Sequence, residues 1–321
     1  MRVLVTGGFG FVGARLGVHL DRQGHEVILA SRTEHQSPDW LPRARVLQVD
    51  WRDAETLERC CREVDVIVHA SGMNAQDCSN DPVAALEVNG VLTARLAAAA
   101  DRAAVKRFIY LSTAHVYDSP LSGAIDENTC PRNLHPYATS HRAGEDAVLH
   151  LARQGRMDGL VVRLSNAFGP PAHPKANCWS LLVNDLCRGA VQNGCLSLRS
   201  DGRQIRDFVP LTDVCLILEE FVTRGRAGSI RRLYNVGAAR SLSVMEMATK
   251  IQERFSLIFD RTPELRVPAG AAAPEETAPL IFSCRHLDGD ASDFERRLCA
   301  EIDALLVMCR DWYSLPGKKG A

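Results

Sequence analysis

Residues 1–13, MRVLVTGGFGFVG, constrain this chain more than any other stretch. Arg2 to Thr6 is a short β-branched and apolar run, which predicts a buried strand. Three glycines follow at a spacing of three: Gly7, Gly10 and Gly13. Beyond them the period changes, and Phe11, Val12, Leu16 and Leu20 share one face of a helix that runs to about Arg22. A strand, a glycine turn and a helix N-terminus make a pyrophosphate cradle. Glycine lets backbone N–H groups approach the anion, and the helix dipole favours negative charge there.

The bulk numbers narrow the classes. The 321 residues suffice for one large domain or for two. A net charge of −1 gives no case for nucleic acid or for a membrane surface. No apolar run approaches the length of a membrane span, and a strand starting at residue 2 leaves no room for a signal peptide. The eleven cysteines show no CxxC spacing and scatter through apolar, helix-like runs. They read as reduced thiols of a cytoplasmic protein, with no metal site. Cys178 is held open, because it lies in a candidate substrate segment.

After the first helix, Glu26–Ala30, Arg45–Val49, Val64–His69 and Lys106–Ser112 read as further strands, with helices over 53–63 and 83–100 between them. Alternation of this kind predicts an α/β fold with a doubly wound parallel sheet. At the end of the second strand stand Ser31 and Arg32, with no acidic residue at 30, 31 or 32. In Rossmann domains an acidic residue there reads the ribose of NAD, whereas Arg accommodates the 2′-phosphate of NADP. NADP(H) is therefore favoured over NAD(H), with a solvated Arg at a strand end as the alternative. Asp50 and Trp51 close the third strand, and either Asp50 or Asp53 caps the helix that follows.

The Gly-x-x-Gly-x-x-Gly spacing, the Leu-Ser-Thr-Ala-His-Val-Tyr segment at 111–117, Pro136-Tyr137 opening a helix, VVRLSNAFGP at 161–170 and the Arg206-Asp207-Phe208-Val209 run together resemble the extended short-chain dehydrogenase/reductase (SDR) family, which modifies nucleotide sugars. The resemblance covers about four-fifths of the chain and fades beyond residue 260. It implies a Rossmann domain over 1–167, completed by parts of 208–237, and a mainly substrate-binding domain over 168–321. It also implies that Phe11, Asp50, Trp51, the Ala70-Ser71-Gly72 turn and Asn89 join the glycines and Ser31-Arg32 around the cofactor, and that the protein is a homodimer.

By the same resemblance, Tyr137 is the acid/base for hydride transfer and Thr113 bonds the substrate oxygen. The family places a Lys four residues after the Tyr, where its charge favours tyrosinate and its ammonium binds ribose hydroxyls. Here that residue is His141. A full charge about 4 Å away is worth roughly 4 kcal/mol at an effective dielectric near 20, and an imidazole carries it only part of the time at neutral pH. Either the site keeps His141 protonated, or Tyr137 is a weaker acid/base, or catalysis is lost. The family's 4,6-dehydratases have Asp-Glu directly after the Thr, and this chain has Ala114-His115, which disfavours elimination of water. His115 is either an acid/base facing the sugar or a residue that holds the next loop. Asn166, Asn177 and Arg206 are expected to bind substrate, Arg206 through the diphosphate, with a surface pair to Asp207 or Asp213 as the alternative. The reading is an NAD(P)-dependent 4-epimerase or 4-ketoreductase of a nucleotide sugar. The rivals are a cofactor-binding protein without turnover and a reductase of a non-nucleotide carbonyl.

Overall fold

The computed structural model describes residues 1–155, 157–224, 231–268, 279–284 and 291–313. The first strand, β1 (Arg2–Thr6), lies in the interior of a seven-stranded parallel sheet, and its Val3, Leu4 and Val5 are wholly buried. Burial on both faces is why the run is continuously apolar and does not alternate. To one side of β1 lie β2 (Glu26–Ser31) and then β3 (Arg45–Gln48). To the other lie β4 (Val66–His69), β5 (Arg107–Thr113), Asp158–Leu164 and Leu233–Val236. Strand order thus reverses between β1 and β4, and the crevice past the C-terminal ends of strands at such a switch point is where α/β sheets bind ligands.

The helices on this sheet are α1 (Phe11–Arg22), α2 (Ala54–Cys61), α3 (Ala75–Asn80), α4 (Pro82–Ala85), α5 (Thr93–Arg102) and α6 (Pro136–Arg153). Asp53 caps α2 by accepting from the Thr56 N–H at 2.8 Å, so Asp50 is not the cap. The helix expected over 83–100 is three pieces: α4, a π-helical segment Leu86–Leu92, and α5. The wide turn falls where the run presses on α6, with the Gly90 Cα facing the Ala143 Cβ. Against the expectation from the sequence, an 18-residue window within Pro82–Arg102 reaches the length and mean hydropathy (1.3) of a membrane-crossing helix. Their alanines raise the hydropathy, and Leu96, Ala97, Ala99 and Ala100 are wholly buried in the protein's own core, as in a core helix of a folded domain.

The chain divides into two compact units. One is Met1–Ser119, Asp126–Ser165 and Cys215–Val236, which holds the parallel sheet. The other is Pro120–Ile125, Asn166–Val214 and Gly237–Ala321. In the second unit, Ile205–Pro210 pairs with Asn166–Phe168 in parallel and with Ser241–Ser243 in antiparallel fashion. The helix Val244–Phe259 opens with a capping box of Ser243 and Glu246. Its Met247, Ile251 and Phe255 pack with Phe168, Phe208 and Leu298 in a core of their own. Two expectations shift here. The loop expected over 262–280 contains a strand, Glu264–Arg266, paired with Cys195–Ser197, and residues 269–278 of it lie outside the described residues. The helix expected from Trp179 spans Leu182–Asn193.

Candidate active site

At the glycine turn, Gly7 has φ +64°, and a Cβ on it would stand 2.6 Å from the Ala70 carbonyl oxygen. A Cβ on Gly13 would stand 2.3 Å from the Gly7 oxygen. Both contacts are with backbone and cannot be relieved by rotating a side chain, so these positions demand glycine. The turn closes with the Gly10 N–H donating to the Gly7 oxygen at 2.8 Å. Gly10 caps α1 without a side chain, and the first turn of α1 carries no acidic residue. The donors of that first turn are left for an external acceptor, which fits a dinucleotide pyrophosphate.

At the end of β2, Ser31 Oγ accepts from the Thr33 N–H at 3.2 Å, and Arg32 is exposed. No ion pair engages the Arg32 guanidinium among the described residues. Asp50 is exposed and takes the Arg52 N–H at 3.0 Å, while Trp51 packs along the core of the sheet. Ala70 and Ser71 are partly open and Gly72 is exposed. Asn89, which the family resemblance puts at the cofactor, is packed against neighbouring backbone, as a buried Asn among Val88, Val91 and Leu92 requires. It is wholly buried, with Oδ1 accepting from the Met73 N–H at 2.8 Å and Nδ2 donating to Ser140 Oγ at 3.0 Å. Its polar atoms are spent within the protein, so it shapes the 70–73 turn and does not meet a ligand directly.

Thr113 ends β5 and is buried. Its Oγ1 accepts from the His115 N–H at 3.1 Å, and its side chain adjoins the Tyr137 phenol and acts to lower that phenol's pKa. His115 lies in a 3-10 turn whose carbonyl accepts from Asn133 Nδ2 at 2.7 Å. That bond ties it to the loop that follows. Tyr137 and His141 project from consecutive turns of α6, with ring centroids 4.6 Å apart, edge to face. Tyr137 keeps part of its surface open to solvent although protein atoms crowd around it, and His141 is 6% exposed.

Of the possibilities the sequence left for His141, a protonated imidazole is not what the site provides. Burial pushes its pKa down to about 4, so it is neutral at pH 7. Burial likewise raises the Tyr137 phenol above its ordinary value, with Thr113 acting in the opposite direction. The reason lies behind the imidazole. Its Nδ1 is 2.9 Å from the Tyr110 hydroxyl, and its ring stacks on Tyr110, which stacks in turn on His69. No carboxylate is bonded to it. The nearest on α6, Glu145, is buried and spent on Arg163, whose Nη2 reaches it at 2.6 Å, and on the Ser112 hydroxyl at 2.5 Å. Burial acts to lower the Arg163 pKa, but the Glu145 pair overcomes it and raises it.

α6 can lie this close to the neighbouring helix and strand because residue 144 is glycine. A Cβ there would stand 2.6 Å from the Asn89 oxygen and 2.8 Å from the Tyr110 hydroxyl. The sequence reading passed over Tyr110, His69, Thr93, Glu145 and Arg163. The available signal was a polar residue inside an otherwise apolar strand or helix run, which burial obliges to find a partner.

The remaining expected residues lie in the second unit. Asn166 Nδ2 donates to the Asp207 carbonyl at 2.9 Å, so that nitrogen is used by backbone. Asn177 is exposed. Arg206 bonds only the neutral Gln204 side chain, at 2.7 Å and 3.1 Å, and partial burial lowers its pKa. Neither suggested pair forms, since Asp213 bonds Arg297 at 2.9 Å and Asp207 accepts from the Ala238 N–H. Among the described residues the partly buried Arg206 guanidinium has no carboxylate partner. Cys178 is wholly buried with its thiol pushed up to about 12, which removes it as a nucleophile.

A sequence model described as the NAD dependent epimerase/dehydratase family matches residues 3–237. The chain belongs to that family. It is 32% identical over 267 residues to the low-salt glycan biosynthesis protein Agl12 of Haloferax volcanii, covering 79% of this chain and 82% of that one. It is 28% identical over 264 residues to human dTDP-D-glucose 4,6-dehydratase, covering 78% and 73% of the two chains. Among solved structures, Thermus thermophilus UDP-glucose 4-epimerase in complex with NAD aligns with a TM-score of 0.72 at 25% identity, over 95% of this chain and 99% of that one.

Proposed function

We propose that this enzyme carries out NAD(P)-linked hydride transfer at C4 of a nucleotide sugar, as a 4-ketoreductase or 4-epimerase, without eliminating water. The observation that carries the reading is the Thr113–Tyr137 pair at the end of β5, with Ala114-His115 following it in place of two carboxylates. The relatives named as dehydratases give the family, and that departure separates this chain's chemistry from theirs.

The nicotinamide supplies the hydride acceptor and donor when bound. Gly7, Gly10, Phe11 and Gly13 take the pyrophosphate, and Ala70-Ser71-Gly72 line the crevice beside it. Thr113 orients the substrate oxygen, and Tyr137 gives or takes its proton. His141 holds its place beside Tyr137 as a neutral ring and leaves the phenol protonated at rest. A protonated phenol is ready to donate to a carbonyl oxygen, which favours the reductive direction over the oxidation that opens an epimerisation. Arg206 is assigned to the diphosphate, with Asn166 and Asn177 along the sugar. Ser31 and Arg32 support NADP(H), although the Thermus neighbour was solved with NAD. The eleven free thiols fit a reducing, cytoplasmic setting, and we assign the protein as a homodimer on the family resemblance.

The test is a panel of UDP-, GDP- and dTDP-4-keto sugars with NADPH, followed at 340 nm alongside the corresponding 4-hydroxy sugars with NADP or NAD. Reduction of a 4-keto nucleotide sugar, weakened about tenfold or more in binding by Arg206→Ala while a small ketone is unaffected, is the expected result. Turnover of none of these compounds would remove the enzyme reading.

A further inference from the structure

The groups behind His141 form one buried chain. Thr6 Oγ1 is 2.6 Å from His69 Nδ1, and His69 Nε2 is 2.9 Å from Thr93 Oγ1. Thr93 adjoins the Tyr110 phenol, whose oxygen is 2.9 Å from His141 Nδ1. Thr6 and Thr93 are wholly buried and His69 is 3% exposed, so every proton in the chain must find its acceptor inside the protein.

That requirement sets a direction. Running outward, the Thr6 hydroxyl donates to His69 Nδ1 and His69 Nε2–H to Thr93, whose hydroxyl is left to turn toward the adjoining Tyr110 oxygen, and the Tyr110 hydroxyl donates to His141 Nδ1. Each donor is used once. Running inward, the His69 Nδ1–H would donate to Thr6, and the Thr6 hydroxyl would need another acceptor. Among the described residues its side chain has no other partner. Leaving a buried hydroxyl proton unpaired costs about 1–3 kcal/mol. Tyr110 has one alternative acceptor, the Asn89 carbonyl, and at 3.3 Å it is the longer of its two bonds. Successive donors aligned in one sense also strengthen one another.

We infer that Tyr110 is a positioning residue that fixes His141 as the uncharged Nε2–H tautomer, an outward-facing donor for a hydroxyl of the cofactor ribose. Resting on the function proposed above, this splits the two duties that the family's Lys performs. The donor to ribose is kept, and the charge beside Tyr137 is given up. The groups facing the imidazole agree with an uncharged ring. From β4 comes His69, itself neutral, and from β5 comes Tyr110, whose phenol burial holds protonated. From α6 come Tyr137 and Glu145, the latter paired to Arg163. From α3, Cys78 bears on Tyr137.

The 15N spectrum of the histidine-labelled protein without cofactor, assigned through His141→Gln, reports the tautomer directly. An unprotonated Nδ1 and a protonated Nε2, unchanged between about pH 5.5 and 8, is the expected result. A protonated Nδ1, or an imidazolium appearing near the ordinary pKa of about 6.5, overturns the inference. Tyr110→Phe should let the two tautomers mix in the same spectrum, and Thr6→Val should do so more weakly. An unchanged His141 signal in Tyr110→Phe refutes the positioning role. For the donor role, dinucleotide affinity is measured by fluorescence titration. His141→Gln, which keeps an uncharged donor, should stay within about threefold of the parent, and His141→Ala should lose about tenfold. Equal loss in both variants overturns it. The spectrum is recorded without substrate, so failure of the sugar assays and failure of this inference are told apart.

Discussion

The glycine turn after β1 and the first two turns of α6 lie on the same unit and serve one proposed reaction, yet different physics specifies them. The turn is built by exclusion: a Cβ at Gly7 or Gly13 would meet backbone at 2.6 Å or 2.3 Å. Nothing about it depends on pH or on the ionisation of a side chain. The α6 face is built by ionisation, since what Tyr137 can do depends on whether His141 carries a charge. That in turn depends on Tyr110, Thr93 and His69, drawn from two strands and another helix. One region is robust because it is steric and local. The other is tunable because it is electrostatic and shared among elements.

Substitutions separate the two regimes. Tyr137→Phe removes the hydroxyl and should lower turnover by about 10²–10⁴ while leaving dinucleotide affinity nearly unchanged. A large loss of cofactor binding in that variant would mean that the two regions are not separable. Acid should act on the α6 side alone. His69 and His141 are held down by burial to about 3 and about 4, whereas in the unfolded chain each titrates near 6.5. The unfolded state therefore binds more protons below pH 6.5, so the stability is complete above that value and is lost as pH falls toward 4. For His141 alone the loss is on the order of 3 kcal/mol, readable in urea melts at pH 7.5 and 4.5. A midpoint that does not move over that window would contradict a buried, neutral pair.

The cradle should answer in the opposite way. Gly13→Ala is expected to weaken dinucleotide binding by about tenfold or more, equally at pH 6 and pH 8, in a calorimetric titration. A pH-dependent loss would show that ionisable groups reach the turn. The smallest effect belongs to its rim. Arg32→Ala should cost about tenfold in NADPH affinity and leave NADH within about twofold, because one charge-assisted contact to the 2′-phosphate is at stake. Equal effects on both cofactors would remove Arg32 as a reader of the phosphate.

The same division explains what could be read from the sequence. β1, the glycine spacing and the helix after it follow from neighbouring residues, and so does the alternation that makes the parallel sheet. Tyr137 and Thr113 are expected from the family resemblance of the segments that carry them, and the structure places Thr113 at the end of β5 and Tyr137 in the first turn of α6. Asn89 was expected at the cofactor and is instead a brace for the turn beside it, a role that depends on Met73 and Ser140, far away in sequence. For His141, sequence could only pose the alternatives. The choice among them needed His69 and Tyr110, which read as ordinary strand residues until their neighbours across the sheet are known.

Gly144 shows what this arrangement means for tolerance to mutation. It has no side chain to lose, is buried, and lies almost two helical turns beyond Tyr137. A single methyl group added there would strike the Asn89 carbonyl and the Tyr110 hydroxyl together. Drift at this position would be recorded first as a change in the proton chemistry of His141 and only later as loss of fold. A sequence survey weighting positions by their side-chain chemistry would rank it last among the residues governing this reaction.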